Sequence, residues 1–165
     1  MNYISTRNKS LNFDFSDIFL RGLAPDGGLF LPDKLQKFND KELKELSKLN
    51  YVNLAVEIIS KFCTPVLDKN KIKLLLDEAY SNFNTKDVVE IKEIDNINLL
   101  ELYHGPTLAF KDIAMQVIGL MYEALDLNKS QINIVVATSG DTGSAAIAAL
   151  KQKKNINLFV LHPHE

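Results

Sequence analysis

Residues 132–161, INIVVATSGDTGSAAIAALKQKKNINLFVL, decide the class of fold that this chain can form. The apolar run at 132–137 is typical of a strand that is covered on both faces. A loop of glycines and hydroxyl side chains follows at 138–143, and we name it the hydroxyl loop. Small residues from 144 to about 151 predict a helix, and 156–161 predict another strand. The stretch therefore predicts two strands joined by a helical crossover, as in a parallel sheet.

The segment before that stretch has the same order of elements. Residues 88–94 and 97–103 predict two strands with a turn between them, and 109–125 predict a long helix with an apolar stripe. Between the second strand and this helix lies HGPTLAFKD at 104–112, which we name the lysine loop. The repeated order predicts an α/β fold with a parallel sheet. Because such sheets bind ligands at loops beyond the carboxyl ends of their strands, both loops are candidate binding sites.

The N-terminal half of the chain has a different pattern. A PDGG turn at 25–28 interrupts a stretch with little periodicity, and 39–82 predict two or three short helices, the last capped by Asp68. The pattern then changes from helical to strand-like. We therefore expect a small, mainly helical domain at 1–85 and the first part of an α/β domain at 86–165.

The composition excludes several classes of protein. The 165 residues carry a formal net charge of −2, with 46% apolar and 24% charged residues. That apolar content can offset the entropy of ordering, which excludes collagen-like and strongly disordered chains. A nucleic-acid partner is not expected, because there is no basic excess, nor is a membrane partner, because no apolar window approaches about 18 residues. One cysteine, Cys63, is typical of a reducing compartment, so we expect a cytoplasmic location.

Lys111 is the residue of the lysine loop that could carry chemistry. The simpler interpretation is a solvated surface lysine. However, Lys111 lies among apolar neighbours and at the predicted start of a helix, where the dipole disfavours a cation. Both features favour the neutral amine that a nucleophilic lysine needs. The residues alone therefore allow a nucleophilic lysine and identify no cofactor.

The hydroxyl loop could bind an anion. Its two glycines permit a tight turn and a close approach of the backbone, and the N–H groups of the following helix can bind a carboxylate or a phosphate. A plain turn with good capping residues is the alternative. The loop lacks the endings of a P-loop and of a dinucleotide-binding motif. Asp141 would repel a bound anion, so we expect it to face a cation or a hydrogen-bond donor.

The histidines give weaker signals. His104, beside the lysine loop, could contact a phosphate or move a proton, but a hydrogen-bonded structural histidine is the simpler interpretation. His162 and His164 flank a proline with no further ligand nearby, so we predict no metal site.

Four ordered motifs together resemble the threonine synthase family, whose members are pyridoxal 5′-phosphate (PLP) enzymes of fold type II. The motifs are YISTR at 3–7, GLAPDGGL at 22–29, GPTLAFKD at 105–112 and ATSGDTGSAA at 137–146. The resemblance covers the whole chain. It implies a parallel-sheet PLP fold type II domain, incomplete in this chain, after a helical N-terminal domain.

The resemblance also implies an activity, the conversion of O-phospho-L-homoserine and water to L-threonine and phosphate in threonine biosynthesis, by a carbon–oxygen lyase reaction. Lys111 would hold PLP as the Schiff-base lysine, Phe110 would lie near the cofactor, and Asp141 would face its phenolic oxygen. The residues that would bind the substrate carboxylate are Ser139, Gly140, Thr142 and Gly143.

Family members are more than twice as long as this chain, and nothing in residues 112–165 resembles their glycine-rich loop for the cofactor phosphate. Four interpretations remain: a truncated threonine synthase, a non-catalytic remnant of one, another fold type II enzyme such as a dehydratase or sulfhydrylase, and an unrelated α/β anion-binding module. The PDGG turn at 25–28 argues against the third. We expect weak or no turnover from this chain alone, and self-association through an unpaired sheet edge or apolar face.

Overall fold

The computed structural model describes residues 1–125 and 131–164. The chain divides into two compact units, 1–74 and 75–165. Within the described residues there are six helices and three two-stranded sheets. The α/β class predicted from the sequence is confirmed. The division falls earlier along the chain than the predicted boundary after residue 85, and that boundary stays a prediction.

The first 32 residues contain more regular structure than their sequence pattern predicts. The elements are β1 (Tyr3–Ser5), α1 (Phe15–Arg21) and β2 (Phe30–Pro32), with β1 and β2 antiparallel. Asp26, in the predicted PDGG turn, accepts hydrogen bonds from the hydroxyl of Ser5 and from the N–H of Gly28. Gly27 has φ of +76° there, a left-handed conformation that favours glycine. The turn was predictable, but three-residue strands are too short for periodicity to reveal.

Three helices follow, as predicted: α2 (Asp40–Leu46), α3 (Tyr51–Cys63) and α4 (Lys69–Tyr80). Asn39 and Glu42 form a reciprocal capping box at the start of α2. Asp68 accepts a hydrogen bond from the N–H of Lys71, which confirms it as the cap of α4. Ile72 and Leu76 are fully buried, which confirms the apolar stripe predicted for this helix.

The second unit continues with β3 (Glu90–Ile94) and β4 (Ile97–Glu101), which form an antiparallel hairpin. The two strands were predicted, but the expected parallel sheet does not include β4. Within the described residues, β4 pairs with β3, and the parallel sheet contains other strands. The two-residue turn at 95–96 permits only antiparallel pairing of the strands that it joins.

The parallel sheet consists of β5 (Ile132–Ala137) and β6 (Ile156–Leu161), in register from Ile132 opposite Ile156. Both strands have the predicted bounds. However, the prediction that other elements cover β5 on both faces was wrong. Side chains alternate between half-buried and exposed along each strand, and Val135 and Phe159 are 63% and 52% exposed. The crossover helix covers one face, and none of the described residues covers the other.

Helix α6 (Asp141–Leu150) packs against this sheet, and α5 (Asp112–Leu125) packs against α6. A Cβ at Gly119 of α5 would lie 2.7 Å from the carbonyl oxygen of Ala149, so the two helices approach closely. Ala145 and Ala146 of α6 are fully buried. The small residues of α6 thus serve helix packing as well as the crossover. In the described part of the chain, no helix is both long and apolar enough to cross a membrane.

Candidate active site

A buried carboxylate organises the lysine loop. Asp112 is 0% exposed, and its two oxygens accept hydrogen bonds from the backbone N–H of Thr107 at 2.7 Å and from the Thr107 hydroxyl at 2.8 Å. A Cβ on Gly105 would lie 2.4 Å from the Cβ of Asp112, so only glycine fits there without displacing the carboxylate. The loop is therefore folded tightly around the side chain of its last residue.

Lys111 lies just outside the helix rather than in its first turn. The prediction of a helix from 109 was wrong, because α5 begins at Asp112. Residues 109–111 form tight turns instead, as the bond from the N–H of Asp112 to the carbonyl of Ala109, three residues back, shows. Before them, Leu108 has φ of +59°, a left-handed conformation that costs a non-glycine residue about 1–2 kcal/mol. Its N–H closes a turn onto the carbonyl of Gly105.

The amine of Lys111 lies over an aromatic ring. Its side chain is half-buried, and Nζ is 4.5 Å from the centroid of the Phe110 ring. This cation–π contact stabilises an ammonium by about 0.5–1 kcal/mol at a partly exposed position. Within residues 1–125 and 131–164, Lys111 forms no ion pair with a carboxylate. Phe110 is 55% exposed, so the structure leaves one face of an aromatic ring beside a lysine amine open to a ligand.

In the hydroxyl loop, Thr138 is the central hydrogen-bond acceptor. Its hydroxyl oxygen accepts from the N–H groups of Gly140 and Gly143 at 3.2 and 3.1 Å. Ser139 and Gly140 are exposed, while Thr142 is half-buried. Gly143 is buried, and a Cβ there would lie 2.4 Å from the Thr138 methyl group.

Asp141 is exposed and forms the first residue of α6, where the helix dipole favours a carboxylate. The prediction that this helix begins at 144 was wrong. The whole second half of the hydroxyl loop is its first turn, because Gly140 accepts from the N–H of Ser144 as an N-terminal cap residue. Hydroxyl and N–H groups thus lie together at a helix N-terminus, where an anion is favoured. In this structure the N–H groups of Gly140 and Gly143 donate to Thr138.

An open groove of about 600 Å³ lies between the lysine loop and helix α6. Pro106 and Thr107 contribute from the lysine loop, and Ser144 contributes from α6. The groove therefore brings the lysine loop beside the second turn of the helix that the hydroxyl loop begins. Lys111 and Asp141 are not among its lining residues. The candidate ligand contacts thus lie on two adjoining segments without forming one enclosed cavity.

His104 belongs to an ion-pair network at the end of β4. Glu101 is 5% exposed, and its two oxygens lie 2.9 Å from Nζ of Lys92 and 3.3 Å from Nε2 of His104. The ammonium of Lys92, followed by the hydroxyl of Tyr103, lowers the pKa of Glu101, and the same carboxylate raises the pKa of Lys92. One carboxylate oxygen each of Glu90 and Glu101 and one ring nitrogen of His104 lie within 4.8 Å of one another. Nε2 of His104 and Oε2 of Glu101 are both buried without a hydrogen-bond partner among the described residues, so the structural role of His104 stays a prediction.

Sequence reasoning missed Asp112, the buried carboxylate that holds the lysine loop. One signal was available, because an acidic residue in the first turn of a helix is a common partner of backbone N–H groups. It also missed Glu101, which reads as an ordinary polar position of a hairpin strand. Complete burial of a carboxylate cannot be seen in a sequence.

Comparisons with known proteins show what this chain is similar to. A model of the family described as "Threonine synthase N terminus" matches residues 2–80. A threonine synthase of Corynebacterium glutamicum is 45% identical over 99% of this chain and 36% of its own length. The chain is similar to the N-terminal portion of threonine synthases.

Relatives with different names have similar identity to this chain. Threonine synthase-like 2 of Xenopus laevis is 38% identical over 99% of this chain and 35% of the relative. The solved structure of PLP-bound threonine synthase from Brucella melitensis superposes with a TM-score of 0.92 at 38% identity, covering 99% of this chain and 36% of that one. The chain therefore spans about a third of the length of these relatives.

Proposed function

We propose that this chain is the N-terminal part of a PLP-dependent enzyme that converts O-phospho-L-homoserine and water to L-threonine and phosphate. The observation that carries the proposal is Lys111, whose amine lies over the exposed Phe110 ring and forms no ion pair among the described residues. This amine and ring suit an aromatic aldehyde. The similarity to threonine synthases supports the choice of PLP, and one relative's solved structure is named as PLP-bound.

In this proposal, Lys111 would hold the cofactor covalently through Nζ, and its amine would move protons at the substrate carbons. PLP, when bound, supplies the electron sink for these steps. Phe110 contacts the cofactor, and Asp141 faces a donor on it. Ser139, Gly140, Thr142 and Gly143 would bind the substrate carboxylate at the start of α6. The N–H groups of the two glycines would then exchange the hydroxyl of Thr138 for the carboxylate.

A non-catalytic remnant of the family is the second candidate. In this candidate, the folded chain no longer binds the cofactor. On either candidate, we expect this chain alone to turn over weakly or not at all. Another fold type II activity would need a different substrate with the same lysine, and an unrelated anion-binding module would leave Lys111 unreactive.

Covalent labelling separates these candidates. The chain is incubated with PLP, reduced with borohydride and mapped by peptide mass, with the exposed Lys37 as an internal reference for surface lysines. The proposal predicts labelling of Lys111 well above that of Lys37, and its loss in Lys111→Arg. Equal labelling of the two lysines contradicts a retained cofactor site. Phosphate release from O-phospho-L-homoserine then tests catalysis, and turnover comparable with that of a full-length relative would contradict our expectation of weak activity.

The role of Asp141 has its own test. If its carboxylate faces the cofactor, Asp141→Asn will change the absorbance of the bound cofactor and the pH dependence of that absorbance. Unchanged spectra would remove this residue from the proposed site. Because Asp141 is exposed, this variant is expected to fold.

We also propose that copies of this chain self-associate through the uncovered face of the parallel sheet. Val135, Phe159 and Leu161 on that face are 63%, 52% and 57% exposed. Parallel sheets normally bury both faces. Light scattering should show an assembly that Phe159→Lys dissociates. The control Leu35→Lys changes an exposed leucine elsewhere in the chain and should leave the assembly intact. A monomer at high protein concentration would contradict this proposal.

A cytoplasmic location completes the proposed function. Cys63 is buried and unpaired, and burial raises the pKa of its thiol to about 12. A single unpaired cysteine suits a reducing compartment. Localisation of a tagged chain by cell fractionation would test it.

A further inference from the structure

The side chain of Asp112 is enclosed without a counter-ion. It is 0% exposed, and among the described residues it forms no ion pair. A buried carboxylate is tolerated only where hydrogen bonds replace its hydration. Here the donors are the N–H and the hydroxyl of Thr107, and the N-terminus of α5 adds a favourable dipole. The charge of Asp112 is therefore satisfied by the loop that precedes it.

These bonds close a ring of six residues, from Thr107 to Asp112, that includes Lys111. Inside that ring, Leu108 is held in its left-handed conformation although its side chain is 66% exposed. The N–H of Asp112 also donates to the carbonyl of Ala109. Lys111 is the residue next to the anchored end of this ring. The position of its Cα consequently depends on the bonds between Thr107 and Asp112.

We propose that the two hydrogen bonds between Thr107 and Asp112 form a strap that positions Lys111. The bond from the Thr107 hydroxyl is the one that a substitution can remove. The proposal rests on the proposed function, in which Lys111 is the residue that binds PLP. Asp112 and Thr107 are positioning residues in it, because they act through the backbone of Lys111. The strap keeps the amine half-buried against Phe110 and directed at one place.

The test uses Thr107→Val, which removes the hydroxyl and retains the shape and the backbone N–H. Thr107→Ser, which retains the hydroxyl, is the matched control. Each protein is treated with trace acetic anhydride, and the acylation of Lys111 is compared with that of the exposed Lys37. PLP labelling with borohydride reduction is measured on the same samples. Cooperative thermal unfolding establishes that each variant is folded.

The strap predicts changes of opposite sign in Thr107→Val. Acylation of Lys111 relative to Lys37 should rise about threefold, because the amine is released to solvent. Specific PLP labelling of Lys111 should fall about tenfold, because a misplaced amine loses its orientation. Thr107→Ser should restore both values to within about twofold of the wild type. A general loss of structure would instead lower the unfolding temperature without rescue by serine.

The two readouts, acylation and PLP labelling, test the strap and the proposed function separately. Wild-type values of both readouts in Thr107→Val overturn the strap and leave the proposed function standing. If the wild type shows no specific PLP labelling, the proposed function fails, and the acylation comparison alone decides the strap. Should Thr107→Val not fold, Asp112→Asn replaces it, because the amide retains the shape of the side chain. Unchanged acylation in that variant also overturns the strap.

Discussion

The lysine loop and the hydroxyl loop are held by anchors of different kinds. The lysine loop is folded around the carboxylate of Asp112, which is 0% exposed, whereas the hydroxyl loop is folded around the half-buried hydroxyl of Thr138. A buried charge must keep its donors, because an unpaired carboxylate in the interior is costly. A half-buried hydroxyl can exchange its partners with water. The comparison teaches that the loop with the proposed covalent role is the more constrained of the two.

The largest expected effect comes from removing the charged anchor. Asp112→Ala should lower the free energy of unfolding by about 3 kcal/mol, because it leaves the N–H and the hydroxyl of Thr107 without an acceptor. Asp141→Ala, the matched change of an exposed helix-start carboxylate, should cost less than about 1 kcal/mol. Urea unfolding measures both variants. Equal costs would remove the difference between the two loops.

A pair of glycine variants tests the same contrast by steric means. A Cβ on Gly105 would meet the Cβ of Asp112, whereas one on Gly143 would meet the end of the Thr138 side chain, each at 2.4 Å. Gly105→Ala should therefore cost about 2 kcal/mol, and Gly143→Ala about 1 kcal/mol. Adding Thr138→Ser, which removes the clashing methyl group, should recover the stability of Gly143→Ala. Failure of that rescue would show that the hydroxyl loop is as rigid as the lysine loop.

Thr138→Val should have a smaller effect. The change removes the hydroxyl that accepts from the N–H groups of Gly140 and Gly143. However, the N–H of Gly143 also donates to the carbonyl of Gly140, and Gly140 lies at an exposed loop position. We expect a loss of about 1 kcal/mol in thermal or urea unfolding, and almost none for Thr138→Ser. A loss as large as that of Asp112→Ala would contradict the comparison.

The smallest expected effect is a pH dependence at the base of the lysine loop. The pKa of Glu101 is lowered by Lys92, so its ion pair stabilises the fold above the ordinary carboxyl pKa of 4.5 and is lost as pH falls below that value. The raised pKa of Lys92 means that its contribution persists up to 10.5 and is lost at higher pH. Lys92→Met should flatten both limbs of a plot of stability against pH. The flattening should be slight, because Lys92 is 55% exposed, solvent screens the pair, and the Tyr103 hydroxyl still hydrogen-bonds Glu101.

Much of the secondary structure was predictable because its signals are local. The capping box at Asn39, the Asp68 cap and the bounds of β5 and β6 follow from side chains within a few residues of each element. The short pair β1 and β2 was missed because three residues are less than two periods of a strand. The start of α5 was misplaced because the apolar pattern includes residues 109–111, which form tight turns and not helix.

Sequence alone determined the α/β class, the two candidate loops and Lys111 as the residue to test, because motif spacing and apolar periodicity are properties of the chain itself. Only the tertiary structure decided which strands pair, which face of β5 stays uncovered and which side chain anchors each loop. Pairing and burial depend on residues that are distant in sequence, as the register of Ile132 with Ile156 illustrates. The buried state of Asp112 is the clearest case, since the same residue type at Asp141 is exposed at an equivalent helix start.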